Sequence, residues 1–521
     1  VGSDASASKR DATGPTWTDL DAVAYHARAH PRRQACLDLR SGESVTYAEL
    51  DGLVARCAGL LRTALADPRG ARVATLLRNG LDALVLMYGC ERAGAIYTPL
   101  NWRLSAIELA GLVADCRPAL AVFETEFSAA AEVAFADRPD LRTFAIAPDH
   151  NPFRQALLAR DPAPAQPEGP DAPCIILYTS GTTGRPKGVV LSRAQAFWGV
   201  FNFAAVGDVG PDSVMLCDTP MFHTVGLIAT CRCILYRGGV CVLSDRFLPA
   251  TTLARLADPD LGVTHYFGVP QIARMLADDD AYTGAELGRL KGFISGGAPL
   301  PDALRDRFLD DGVMVLNGYG MTESSTIAGM PFDPQAARAK PGSVGLTAPA
   351  MDLRIVDPEG RDADVDGIGE IWIRGPAIFS GYWEQPEATR AVFQDGWFKT
   401  GDAGRRDDDG FLFIVDRWKD MYISGGENVY PAEVESAIAL LPGVREVGVV
   451  GVPHPRWGEV GWAFVVCHPQ AGLSEAEVLA HCATRLARYK QPVEIRFVAE
   501  LPRTASGKVR KDELRRRTAP V

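Results

Sequence analysis

The chain has 521 residues, with hydrophobic residues at 47%, charged residues at 23% and a formal net charge of -11. Domains usually hold about 100–200 residues, so two or more are expected, and the composition leaves little room for long disorder. The acidic balance offers no broad field to nucleic acid or anionic lipid, so a bound polyanion must be met by a local pocket.

Residues 1–17 are polar and lack the apolar segment of a signal peptide. No run approaches the roughly 20 apolar residues that span a bilayer. A cytoplasmic location is therefore expected, and the 11 cysteines read as reduced thiols. Cys231 and Cys233 form a CxC pair with no second pair at zinc-finger spacing, which favours buried small hydrophobes over a metal site.

In chain order, Thr46 with Glu49 makes a capping box before an amphipathic run reaching Leu65. A strand is predicted over 72–77. The Pro- and Asp-rich stretch 161–173 reads as a surface connection, followed by a strand over 174–178. Ser192 with Gln195 opens a helix that places Phe197, Val200, Phe201 and Ala204 on one face. A strand over 313–316 follows. Asp407, Asp408, Asp409 and Gly410 mark a boundary, and after Asp420 a fresh unit of about 100 residues begins. Within it, strands are predicted over 446–452 and 462–466, and Ser474 with Glu477 caps another helix. Strand-like runs alternating with helices predict an α/β fold.

The strongest local signal is YTSGTTGRPKGV over 178–189, directly after an apolar strand. Gly181 and Gly184 free the backbone to turn N–H groups toward an anion. Thr179, Ser180, Thr182 and Thr183 add hydroxyl donors, and Arg185 and Lys187 add positive charge. The set suits a triphosphate undergoing in-line displacement. It is not a Walker A loop, because Pro186 stands where that pattern needs its second glycine.

With this loop the sequence resembles the adenylate-forming superfamily of acyl-CoA synthetases, luciferases and peptide-synthetase adenylation domains, and above all the acyl-CoA synthetases. Further segments fall in the family's order as far as Lys511. SGGAP over 295–299 resembles the nucleotide-cleft loop, which implies that Gly297, Ala298 and Pro299 pass beside adenine. NGYGMTE over 317–323 resembles the segment that meets adenine and magnesium. It implies ATP contacts from Asn317, Gly318, Tyr319, Gly320 and Met321, and Mg²⁺ ligation by Thr322 and Glu323. FKTGD over 398–402 resembles the segment whose carboxylate, here Asp402, accepts from both ribose hydroxyls. DRWKDMYISGGENVYPAEVE over 416–435 resembles the hinge, with Arg417 at the ribose and phosphates, Lys419 as hinge residue, and Asp416 and Trp418 at variable positions. PRTASGKVRK over 502–511 resembles the loop bearing the catalytic lysine, here Lys508.

The resemblance implies a large N-terminal region of several subdomains over 1–418, its β-sheets flanked by helices. A small mobile C-terminal α/β domain over 419–521 would be joined to it by the hinge. It also implies a two-step reaction. A carboxylate attacks the α-phosphorus of ATP and releases pyrophosphate, with Lys508 bridging the two anions and Mg²⁺ at the leaving group. The small domain then turns about Lys419, withdraws Lys508 and presents Ser424, Gly425, Gly426 and Glu427 to coenzyme A.

PMFHTVG over 220–226 resembles the segment whose histidine, here His223, lies beside the acyl pocket of acyl- and aryl-CoA ligases. Amino-acid-activating relatives carry an Asp there. Phe267, Gly268, Gly296, Gly297, Gly318 and Met321 complete the expected pocket, and these residues are apolar or small. Gly292, where malonate-activating relatives carry an arginine, points to a monocarboxylate, aliphatic or aromatic. No carrier-protein domain follows Val521, which favours coenzyme A as acceptor over a synthetase module.

The abundance of Ala, Arg and Gly fits a GC-rich bacterial source, and a homodimer is compatible with the sequence. Two rivals remain at this level. One is an adenylating enzyme of secondary metabolism that delivers an unusual acid or oxyanion to an amine or carrier protein. The other is a non-catalytic nucleotide-binding protein, against which the presence of Lys508, Glu323 and Asp402 argues.

Overall fold

The computed structural model describes residues 21–165, 169–179, 186–424, 427–469, 471–503 and 509–518; for Ala285, Glu286, Arg417, Lys419 and Asn428 it describes the backbone alone. The predicted capping boxes form at the starts of Tyr47–Ala64, Arg193–Val206 and Glu475–Ala483. In each, the Ser or Thr oxygen accepts from the third helical N–H while the Glu or Gln side chain accepts from the cap N–H.

The helix Arg193–Val206 departs from expectation in its buried face. Ala196, Gly199, Val200 and Phe203 face inward, whereas Phe201 is 39% exposed and lies edge-on to Trp198 at 5.4 Å. The helix packs on the strand Ser325–Gly329, and a Cβ on Gly199 would lie 2.5 Å from the Ser325 hydroxyl. So close an approach needs small residues on the contact row. The bulkier Phe197–Phe201 row is turned aside by roughly 100°.

Three sheets follow from the alternation. The largest has 14 strands. Its parallel block runs Gln34–Asp38, Val240–Leu243, Val214–Cys217, His265–Phe267, Gly292–Gly296 and Val315–Met321. Helices Pro249–Ala257, Pro270–Ala277 and Asp302–Asp310 make the crossovers. His265–Phe267 and Gly292–Gly296 are buried throughout, as expected for strands covered on both faces. The last strand of the block starts two residues later than predicted and continues through NGYGM, because it pairs with Gly292–Gly296 on one side and Ser325–Gly329 on the other. Antiparallel strands then carry the sheet through Ser343–Thr347, Leu412–Arg417, Trp397–Arg406 and Gly369–Arg374 to Asp352–Val356.

The 7-stranded sheet contains Arg72–Leu76, Ile96–Pro99 and the hairpin Pro173–Thr179 with Lys187–Ser192, which borders the phosphate loop. The 5-stranded sheet lies entirely within 422–497. One continuous core joins the two larger sheets: Val73, Tyr97 and Leu177 of one share it with Met215, Ile294 and Leu316 of the other. All the cysteines are free, and every one except Cys467 is buried, in keeping with the reading of Cys231 and Cys233.

A buried ionic triad fixes the helices behind the parallel block. Glu91 of Leu81–Ala93 accepts from Arg193 at 3.0 Å and forms an ion pair with Arg232 at 2.7 Å, and all three side chains are 5–6% exposed. Burial works against the Glu91 charge, but the Arg232 and Arg193 guanidiniums overcome it and hold the carboxyl below its ordinary range. Glu91→Gln removes the charge that two buried guanidiniums face. It is expected to lower unfolding free energy by about 3–5 kcal/mol, read from urea denaturation midpoints.

Candidate active site

Because Val214–Cys217, His265–Phe267, Gly292–Gly296 and Val315–Met321 run parallel, their carboxyl ends share one edge. Loops leaving such an edge enclose a crevice, the usual ligand position in an open parallel sheet. His223 follows the first strand, Gly268 the second, Gly297, Ala298 and Pro299 the third, and Thr322 and Glu323 the fourth. Gly297 turns the chain away from the sheet at φ 85°, in the left-handed region that glycine tolerates.

Two buried carboxylates stand at the positions expected to serve the nucleotide. Asp402 lies in Trp397–Arg406 and is 6% exposed, and the Tyr319 hydroxyl donates to its Oδ2 at 2.5 Å. The ring expected against adenine therefore stands beside the carboxylate expected at the ribose. Arg417 pairs with Asp402 across the sheet, so its backbone places it at the same spot. Glu323, 8% exposed, accepts at Oε1 from the Tyr382 hydroxyl at 3.0 Å. Two residues on, Ser325 holds φ 56°, a strained backbone for a residue with a Cβ, and so fixes the turn that aims Thr322 and Glu323.

Lys187, a cation of the Gly-rich motif, has its ammonium 4.6 Å from the centre of the Tyr382 ring. The Thr179 hydroxyl donates across the hairpin to the Lys187 carbonyl at 3.4 Å. Ser180, Gly181, Thr182, Thr183 and Gly184 lie outside the described residues.

Thr322 and Glu323 offer hard oxygen donors that fit magnesium. Among the described residues the one cluster of three acidic side chains is Asp407, Asp408 and Asp409, and the Lys340 ammonium binds Asp407 at 2.8 Å and Asp409 at 2.5 Å. That cluster is a solvated surface group. A magnesium ion at Glu323 would draw its remaining ligands from phosphate and water, the usual arrangement for this metal.

On the acyl side, Gly296 and Gly318 are neighbours across the parallel pair, and a Cβ on Gly296 would meet the Gly318 carbonyl oxygen at 3.0 Å and the Phe267 ring at 3.6 Å. Met321 is half-buried at the end of the adjoining strand. The His223 ring packs 4.5 Å from Phe222, which stands edge-on to Trp102 at 5.9 Å. His223 leads into a π-helix, Val225–Arg232, a widened turn common at functional sites, and the far end of that helix is Arg232 of the ionic triad.

The Asn317 amide donates to the Ser343 carbonyl at 2.9 Å. Gly292 opens the strand that Gly296 ends, and its Cβ would face Phe332 at 2.7 Å. The position lies four residues from Gly296, at the opposite end of that strand.

Ser424 is buried and Glu427 exposed in the hairpin of the 5-stranded sheet. Gly425, Gly426 and Lys508 lie outside the described residues, as do the side chains of Arg417 and Lys419. Asp416, read from sequence as variable, has a defined task. Its Oδ2 accepts from the Ala432 N–H at 2.7 Å at the start of helix Pro431–Ala439, and Lys511 lies 2.9 Å from Glu435 and 3.8 Å from Asp416. Tyr382 was missed as well. It belongs to no motif, and its partners are distant in sequence.

Asp218 begins the turn to His223. It accepts from Thr252 at 2.7 Å and Tyr266 at 2.9 Å, and burial pushes its carboxyl up to about 6 from 3.8. An acid that holds its proton more tightly when folded makes stability fall as pH rises between those two values. Asp218→Asn should therefore raise the stability at pH 7 relative to that at pH 4 by about 2–3 kcal/mol, measured by urea denaturation at each pH.

Residues 23–383 match the AMP-binding enzyme family, and residues 433–508 match the AMP-binding enzyme C-terminal domain. A feruloyl-CoA synthase from Amycolatopsis sp. is 39% identical over 490 residues, covering 94% of this chain and 97% of the relative. An indoleacetate–CoA ligase from Aromatoleum aromaticum is 38% identical over 501 residues, covering 95% and 97%. The structure of ATP-bound MatB from Rhodopseudomonas palustris superposes with a TM-score of 0.87 at 34% identity, covering 95% of this chain and 98% of that one. These matches make the chain a member of the AMP-binding enzyme family, the adenylate-forming enzymes.

Proposed function

We propose that the protein is an ATP-dependent acid–CoA ligase that activates an aromatic monocarboxylic acid as its acyl-AMP and transfers the acyl group to coenzyme A. The observation that carries this reading is the pairing of Tyr319–Asp402 and Tyr382–Glu323 at the edge where the His223 turn also arrives. Ligases of the same kind among the relatives support it, and the names of two of them, for feruloyl and indoleacetate, support a flat acid. So do the aromatic contacts at two of the expected pocket residues: Phe222 packs against His223 and Trp102, and Phe267 lies beside Gly296.

In adenylation both reactants are anionic, so charge neutralisation and fixed geometry supply most of the catalysis. Lys187 and the loop 178–189 would hold the outer phosphates. Asp402, with Arg417 beside it, would fix the ribose. Thr322 and Glu323 would hold magnesium, which offsets charge on the departing pyrophosphate. Lys508 would bridge the carboxylate and the α-phosphate. The backbone at Gly296, Gly297 and Gly318 would line the adenylate, while His223, Phe267, Gly268 and Met321 would wall the acyl group.

For thioester formation Lys508 must leave and the thiol must enter. A division into 1–418 and 419–521 with a hinge at Lys419 would serve this. Support comes from the change of sheet across the hinge: Leu412–Arg417 is a strand of the largest sheet, and Tyr422–Ser424 belongs to the smallest. Ser424, Gly425, Gly426 and Glu427 would then meet the pantetheine arm.

Acid-dependent ATP–pyrophosphate exchange across cinnamic, arylacetic, benzoic and fatty acids tests the reading. The strongest exchange is expected with an aromatic acid, and a thioester is expected only when coenzyme A is added. Exchange with no acid in the panel would defeat the proposal, and product formed without coenzyme A would redirect it to another acceptor. Lys508→Ala is expected to cut acyl-AMP formation at least 100-fold while largely sparing thioester formation from supplied acyl-AMP, an order of magnitude set by loss of a main electrostatic contact. Equal loss in both half-reactions would overturn the role given to Lys508.

A further inference from the structure

The segment Phe379–Trp383 is stitched to two parts of the nucleotide site at once. The Phe379 N–H donates to the Glu323 carbonyl at 2.8 Å, joining it to the turn that carries the metal-binding carboxylate. The Ser380 and Trp383 N–H groups donate to the carbonyls of Val190 and Gly188 at 3.1 and 2.7 Å, joining it to the hairpin that holds the phosphate loop. Tyr382 sits opposite Val189 in this antiparallel pairing. Lys187 points to the same face as Val189, two residues along the strand, which brings its side chain diagonally over Tyr382.

Both ends of the tyrosine are therefore engaged. Its hydroxyl donates to Glu323 Oε1 at 3.0 Å, and its ring lies under the Lys187 ammonium at 4.6 Å. The ring is itself fixed by Phe379, edge-on at 4.9 Å, and by the Tyr382 N–H donating to the Thr389 hydroxyl at 2.9 Å. That last approach requires Gly381, whose φ is 143° and whose Cβ would lie 2.8 Å from the Thr389 methyl group.

We propose that Tyr382 is a positioning residue that aims the Glu323 carboxylate at the metal and the Lys187 ammonium at the outer phosphates, so that one side chain aligns both sources of charge neutralisation. The proposal rests on the ligase reading above. A tyrosine present only for packing needs no hydroxyl, whereas here the hydroxyl reaches a carboxylate that is almost wholly removed from water. A buried carboxylate is costly without a donor, and a donor at one oxygen fixes the direction of the other.

The two ends of Tyr382 can be separated by substitution. The dissociation constant of ATP is measured by equilibrium dialysis with and without Mg²⁺ for the full chain, Tyr382→Phe and Tyr382→Leu, with thioester formation from supplied acyl-AMP as the check on folding. Tyr382→Phe keeps the ring and removes the hydroxyl. It should leave metal-free ATP affinity within about 2-fold and reduce the Mg²⁺-dependent gain by about 5-fold or more, as expected for loss of one hydrogen bond to a charged group. Tyr382→Leu should lose affinity in both conditions. A Tyr382→Phe protein that keeps the full Mg²⁺-dependent gain would overturn the proposal. So would one that loses equally with and without metal, or one whose thioester step falls in parallel. If the wild-type chain itself binds ATP no better with Mg²⁺, the magnesium reading of Thr322 and Glu323 fails first, and this inference fails with it.

Discussion

Two carboxylates withdrawn from water, each held by a tyrosine hydroxyl, set the geometry on which the site depends. A bare carboxylate buried at the end of a sheet is costly without a donor. Tyr319 on Asp402 and Tyr382 on Glu323 each supply one, and so hold the two carboxylates in place. The first pair bridges the parallel and antiparallel parts of the largest sheet. The second reaches from that sheet to the hairpin of the 7-stranded sheet. The candidate site is thus also a seam between the two large layers.

The parallel block explains why residues scattered over more than a hundred positions meet. Each strand delivers its following loop to the same edge, so the chemistry of the site is carried by loops and its precision by strands. The ionic triad of Glu91, Arg193 and Arg232 secures this from behind, since it anchors the far end of the π-helix that His223 begins. Acyl-side geometry and core electrostatics are therefore connected through one short helix.

Much of this was legible in the sequence because the relevant signals are local. Capping boxes depend on residues three apart, and Thr46, Ser192 and Ser474 all act as their spacing implies. NGYGMTE and FKTGD are also short local runs, and the structure sets Tyr319 of the first beside Asp402 of the second. What was not legible depends on contacts between distant segments. Phe201 fits the apolar row of its helix, yet the close approach of Gly199 to Ser325 sets the buried face instead. Asn317 sits inside a nucleotide motif, but the neighbouring strand draws its amide to Ser343. Tyr382 meets Glu323 and Lys187 only because a two-residue strand, Gly381–Tyr382, pairs with the loop's hairpin. No spacing rule covers such a contact.

Asp416 closes the helix Pro431–Ala439 from a strand of the other sheet, and Lys511 lies between it and Glu435. If the C-terminal unit swings, that helix loses its acceptor and Lys511 must choose between two anions. The arrangement described here would then behave as a spring-loaded detent: other orientations are reached by first unfastening a small charged clasp, and dissolved ions that compete for its members would ease the release.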